Sequence, residues 1–175
     1  QTVRLAAEAG LAGICIEDTA LPDMTPYHFD LAVERIRAAA AAARALPRDF
    51  FLVARADGIM TGQYDIDEAL RRVRAFDAAG ADGLFAPLPK SVADLRRIIK
   101  ACAKPVNVIA VGPLFSAMRR DEFAALGAAR ISLGSGLARA THSVIHAGAR
   151  AIFEDGDFSA LLPRVPASVI DALLG

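Results

Sequence analysis

The sequence predicts an α/β fold of the (β/α)8 barrel type, cut short at its amino end so that about five β/α units are present. Three observations carry this expectation. Short apolar runs without helical spacing recur along the 175 residues, each followed by a longer segment of helical periodicity. Runs that are apolar on both faces and separated by helices belong in a parallel sheet, because the crossovers lay helices over the sheet. Polar residues fall at or beyond the ends of at least four runs, which gathers chemistry on one rim, as where loops leave the strands of a barrel. An open doubly wound sheet with a site at its switch point fits the same alternation, and the polar rim favours the barrel. A full barrel takes about 250 residues. Three strands are then unaccounted for, and they are expected upstream.

Residues 1–10 read as the back half of a helix ended by Gly10, with neither an initiator Met nor the layout of a signal peptide. Residues 13–17 (GICIE) form the first strand, 18–26 a turn-rich stretch, and 27–46 a long Ala/Arg helix. The second unit is a strand over 50–55, a Gly-containing loop, and a helix over 65–79 closed by Gly80. Strands over 82–87, 105–110 and 129–133 precede helices over 91–103, 116–126 and 136–153. The tail, 158–175, is expected to hold a short closing helix bearing Val169, Ile170, Leu173 and Leu174, and residues 1–175 read as one domain.

A composition of 54% hydrophobic and 23% charged residues suits a globular core and excludes a disordered chain. The 20 basic side chains balance the 20 acidic ones, so no overall field favours nucleic acid or an anionic membrane. No basic–aromatic stripe offers a platform for single strands. No apolar run reaches the roughly 18 residues of a spanning helix, and the tract 38–43 is bounded by Arg37 and Arg44. Cys15 and Cys102 show neither paired nor metal-binding spacing, which reads as two small core residues in a reducing, cytoplasmic setting.

Glu17 and Asp18 end the first strand, and neighbours on a strand point to opposite sides. Glu17 is assigned to the site, where a carboxylate at the mouth suits a hard divalent cation, and Asp18 to capping the next turn. Arg55 closes an apolar strand and offers a fork for a carboxylate or phosphoryl group. The alternative for Arg55 is a buried structural pair with Glu17 or Asp57, and Asp57 before Gly58 otherwise reads as a turn residue. Asn107 either faces inward to bind a carbonyl or carboxylate, or faces a helix and satisfies backbone. Gly134-Ser135-Gly136 opens a helix, which suits either an anion or a tight chain reversal. His142 and His146 share a helix face and read as packing or interface residues. His28 reads as an N-terminal helix residue, and nothing in the sequence directs Tyr64.

The ordered set Gly13-Ile-Cys-Ile-Glu-Asp18, Val53-Ala-Arg-Ala-Asp-Gly58, Ala79-Gly-Ala-Asp-Gly-Leu-Phe-Ala-Pro87, Lys104-Pro-Val-Asn107 and Arg130-Ile-Ser-Leu-Gly-Ser-Gly-Leu-Ala-Arg139 resembles the isocitrate lyase / phosphoenolpyruvate mutase superfamily over nearly the whole chain. The resemblance implies a modified (β/α)8 barrel with these strands as its fourth to eighth. It implies Mg²⁺ held largely through water, with Glu17 as the only one of the family's metal carboxylates present. It also implies that Arg55 grips the substrate's carboxylate or phosphonate; Asn107, Gly134 and Ser135 are further substrate-binding positions on the reading of the residues alone. The implied chemistry is cleavage or formation of a C–C or P–C bond in a small 2-oxo acid through an enolpyruvate-like intermediate. The lyases' Lys-x-Cys-Gly-His signature is missing, so a standard isocitrate lyase is not expected. A homodimer or homotetramer with a swapped last helix is implied as well. The alternatives are an inactive barrel fragment serving as a binding or assembly module, and an unrelated phosphate-binding barrel of biosynthesis.

Overall fold

The structure, a computed structural model, describes residues 1–162 and 164–174. Five parallel strands follow one another in sequence order. β1 (Gly13–Glu17), β4 (Phe51–Arg55) and β5 (Gly83–Phe85) make one sheet; β6 (Asn107–Ile109) and β7 (Arg130–Ser132) make a second. A single parallel bridge, Leu84 to Val106, links β5 to β6. Between them lie α1 (Thr2–Glu8), α2 (Phe29–Arg44), α3 (Gly58–Thr61), α4 (Ile66–Ala78), α5 (Val92–Ala101), α6 (Gly112–Ser116) and α7 (Arg120–Leu126). A mixed α/β fold with parallel strands and intervening helices is therefore present. Closure into a barrel remains an expectation.

Helix boundaries have local causes. Asp65 accepts from the Asp67 and Glu68 amides at the start of α4, and Ser91 accepts from the Asp94 amide at the start of α5. Gly80 ends α4 with φ of 101°, a conformation open to glycine at little cost. The helix expected over 116–126 is shorter, since α7 starts only after Arg119, whose amide donates to Glu122 Oε2 at 2.7 Å, and a separate short helix, α6, with Pro113 in its first turn, precedes it. The stretch expected to be only turns, 18–26, contains a small antiparallel pair, β2 (Thr19–Ala20) with β3 (Thr25–Pro26).

Pairing register decides which residues reach the site. Cys15 pairs Val53, Glu17 pairs Arg55, Val53 pairs Gly83, and Arg55 pairs Phe85. Ile14, Ile16, Leu52, Ala54 and Leu84 alternate with these and enter the helix-covered core with Ile36, Ala40, Val73 and Phe76. The row Glu17, Arg55 and Phe85 thus points away from the helices. Cys15 shares that face and is exposed, which corrects its expected place in the core. Cys102 is half-buried.

Packing divides the chain into two compact units, Gln1–Leu133 and Gly134–Gly175. The second holds α8 (Gly136–Arg150), continued by a π-helical turn over Ala151–Asp155, a 3-10 turn over Ser159–Leu161, and α9 (Ala167–Leu174). Leu137, Val144 and Ile145 of α8 are exposed. None of the described helices is long and apolar enough to cross a membrane.

Candidate active site

Strand ends build the site. Glu17 and Arg55 close adjacent parallel strands in register, so their side chains emerge side by side, and Arg55 Nη1 lies 2.8 Å from Glu17 Oε1. Both stay partly open to solvent, at 22% and 34% side-chain exposure. Phe85, next in the row, places its ring 5.1 Å from the Arg55 guanidinium carbon, a cation–π contact that holds the fork over β5. The two residues that the sequence singled out therefore share one face and one rim.

Asp57 completes the arrangement. Its Oδ1 accepts from Arg55 Nε at 3.0 Å and lies 3.0 Å from Nη2, and its side chain is 1% exposed. The expected turn residue is instead a buried partner of the arginine, so the pairing offered as the alternative for Arg55 is present alongside an open face. Burial pushes the Asp57 carboxyl up to about 6 against the pull of Arg55, with Glu17 and Asp18 adding to the rise. Its Oδ2 is buried without a partner among the described residues.

Asp18 corrects another expectation. It caps no turn. The β1 backbone carries one step further through Asp18 N donating to the Arg55 carbonyl, which turns the Asp18 side chain to the helix side. There, 2% exposed, Asp18 accepts from the Asp57 amide at 2.7 Å, from Tyr64 Oη at 2.8 Å and from Arg72 Nη1 at 3.0 Å. Arg72, on α4, also donates to Glu68 and to the Tyr27 carbonyl. Burial, with Asp18 beside it, pushes the Tyr64 hydroxyl far above its ordinary value, which keeps it a donor. A buried lattice thus joins α4, the residues flanking the β2–β3 pair and the strand ends beneath the rim.

Two consequences can be measured. A Cβ on Gly58 would overlap the Tyr64 ring. Gly58→Ala should therefore displace Tyr64, break its bond to Asp18, and lower stability by about 1–3 kcal/mol in urea unfolding. Asp57 titrates near 3.8 when unfolded and near 6 when folded, so the folded chain holds the extra proton between those values. Its contribution to stability consequently falls as pH rises from about 4 to about 6 and is level above, by up to ~3 kcal/mol. Asp57→Asn should remove that slope relative to the wild-type protein in unfolding curves across this window.

Asn107 lies on β6 between Val106 and Val108, both buried in the core, so it faces the opposite side, the inward choice of the two the sequence allowed. Its Nδ2 donates to Ser132 Oγ at 3.0 Å, and Ser132 donates to the Val108 carbonyl. Asn107 Oδ1 is buried and unpartnered among the described residues. Ser132 was not singled out by sequence; its β7 register opposite Ile109 is what brings it to Asn107. Gly134 and Ser135 begin the second unit, where Ser135 precedes α8 without a side-chain capping bond. His142 and His146 are exposed on α8, and His28 is an exposed residue at the start of α2.

The chain's own donors do not make a magnesium site. Glu17 Oε1 is engaged by Arg55, and among the described residues no group of three His, Cys, Asp or Glu is placed to enclose a cation. What the geometry offers directly is a guanidinium fork at a strand-end rim, held by the buried Asp57 behind it and met by the partly exposed Glu17 in front.

Parallel strands alternating with helices and ending in such a rim define an α/β protein. The comparisons give the family. The family model described as phosphoenolpyruvate phosphomutase matches residues 1–153, and the chain belongs to that family, within the phosphoenolpyruvate mutase / isocitrate lyase superfamily of lyases and phosphomutases. Among curated relatives, an oxaloacetate decarboxylase of Paraburkholderia xenovorans (strain LB400) is 34% identical over 61% of this chain and 36% of its own. A phosphonopyruvate hydrolase of Variovorax sp. (strain Pal2) is 30% identical over 90% of this chain and 58% of its own. A solved structure from Burkholderia cenocepacia J2315, described provisionally as a lyase/mutase, is 39% identical, with a TM-score of 0.90 over 99% of this chain and 63% of its own. The chain thus spans less than two thirds of the length of each.

Proposed function

We propose that this chain carries the anion-gripping half of a lyase- or mutase-type site acting on a small 2-oxo acid at a C–C or P–C bond next to its carbonyl. The observation that carries the reading is the Glu17–Arg55 row, in register on β1 and β4 and open to solvent. Arg55 binds the acid end of the substrate, and its charge opposes the negative charge that builds up as an enolpyruvate-like species forms. Phe85 shields one side of the fork from water, which strengthens that interaction. Asn107, held by Ser132, is assigned to orient the substrate's polar groups.

The similarity to an oxaloacetate decarboxylase and to a phosphonopyruvate hydrolase supports oxaloacetate-like and phosphonopyruvate-like substrates. Among the described residues, Glu17 is the carboxylate at the mouth that would reach a hydrated magnesium ion. We extend the proposal to the five strands as consecutive staves of a barrel spanning residues 1–175, to a cytoplasmic location, and to a homodimer or homotetramer formed through α8. The second reading is an inactive barrel fragment serving as a binding or assembly module. Pyruvate release from oxaloacetate or phosphonopyruvate, with and without Mg²⁺, tests the two. Turnover with either compound supports the enzyme, whereas binding without turnover supports the module.

A further inference from the structure

Arg55 meets two carboxylates of unlike standing. Asp57 is 1% exposed, takes Nε and Nη2 together on Oδ1, and has its own amide tied to Asp18 Oδ1 at 2.7 Å. Asp18 is in turn held by Tyr64 and Arg72. Moving Asp57 would disturb that whole lattice. Glu17 instead touches Arg55 through one oxygen on Nη1, and a third of its side chain lies in solvent. A guanidinium presents five N–H donors in a rigid plane. Asp57 occupies the Nε–Nη2 side, so the edge formed by the two terminal nitrogens is where a planar carboxylate fits with two parallel bonds, and Glu17 is the group standing there.

We propose that Asp57 is a positioning residue that holds Arg55 throughout, while Glu17 is an exchangeable placeholder that an incoming anion displaces from Nη1. The inference rests on the reading of this rim as a 2-oxo acid site and adds how the site is kept ready. The fork is pre-aimed from behind, and Glu17 shields its charge until the ligand arrives. Exchange of one carboxylate group for another keeps a carboxylate on Nη1, and Asp57 keeps the guanidinium from following the departing Glu17.

Deleting either carboxylate removes one negative charge beside Arg55, so charge alone predicts tighter anion binding in both cases. The proposal predicts opposite signs. Calorimetric titration with oxalate, a compact planar dicarboxylate, in the presence of a chelator excludes metal effects. Glu17→Gln should bind oxalate about tenfold more tightly than the wild type, and Asp57→Asn about tenfold more weakly. Tighter binding by both variants overturns the proposal and leaves the site reading intact, provided that Arg55→Ala abolishes binding. Equal binding by wild type and Arg55→Ala overturns both. A second measurement needs no variant at Asp57: the Arg55 Nε–H nuclear magnetic resonance should keep its position when oxalate saturates the wild-type protein, while the terminal N–H signals move. An Nε–H signal displaced as far as the terminal ones overturns the proposal.

Discussion

Asp18→Ala should destabilise the protein by about 3–5 kcal/mol, the largest effect of any single change in the first unit. The carboxylate is 2% exposed and serves three donors at once: the Asp57 amide, the Tyr64 hydroxyl and the Arg72 guanidinium. Its removal strands all three in a space from which water is excluded, and an unpaired buried charge costs more than the pair contributes. Arg72 retains Glu68 and the Tyr27 carbonyl, which places the expected loss below that of a fully orphaned charge. Asp18→Asn keeps the shape and one acceptor oxygen and should lose about half as much. Urea unfolding at pH 7 measures both. A loss under about 1 kcal/mol for Asp18→Ala would mean that the lattice behind the rim does not hold it in place.

Arg55→Ala should weaken binding of oxaloacetate or phosphonopyruvate by about 30- to 1,000-fold, corresponding to about 2–4 kcal/mol for a charge-assisted, two-pronged contact. The change also leaves Asp57 and Glu17 facing one another without the guanidinium between them. Asp57 then loses the one influence that lowers its titration, so its proton should be retained to still higher pH. Arg55→Lys tests the geometry. A single ammonium keeps the charge but cannot serve Asp57 and an anion in the same plane, so it should recover only part of the affinity. Full recovery by lysine would reduce the role of Arg55 to a point charge.

The strand–helix alternation was legible in the sequence because buried parallel strands leave unbroken apolar runs, and β1 and β4 lie where their runs do. Glu17 and Arg55 stood out for the same reason: a charge ending an apolar run has few places to go except a rim. Register converts that pair of hints into a site, and register is not written locally. Asp57 reads as a turn residue because it precedes a Gly, and the sequence offers it as a buried partner of Arg55 only as an alternative; its burial against Asp18 of the neighbouring strand decides between the two. Tyr64 and Arg72 lie on or before α4, far from Asp18 in sequence, and no short-range pattern ties them to it. Cys15 looked like a core residue since its neighbours Ile14 and Ile16 are apolar; alternation puts it instead on the face that Glu17 shares. The late start of α7 is hard to read because Arg119 is not a usual capping residue, although Glu122 three positions on marks it.

The account rests on one geometric claim, that Arg55 and Glu17 form the mouth at which an organic anion binds, and a crystal structure with oxalate bound tests it most directly. The account predicts oxalate oxygens about 2.7–3.2 Å from both terminal nitrogens of Arg55, with Asp57 still on Nε and Glu17 turned aside. Oxalate bound elsewhere, with the Glu17–Arg55 pair undisturbed, would contradict it.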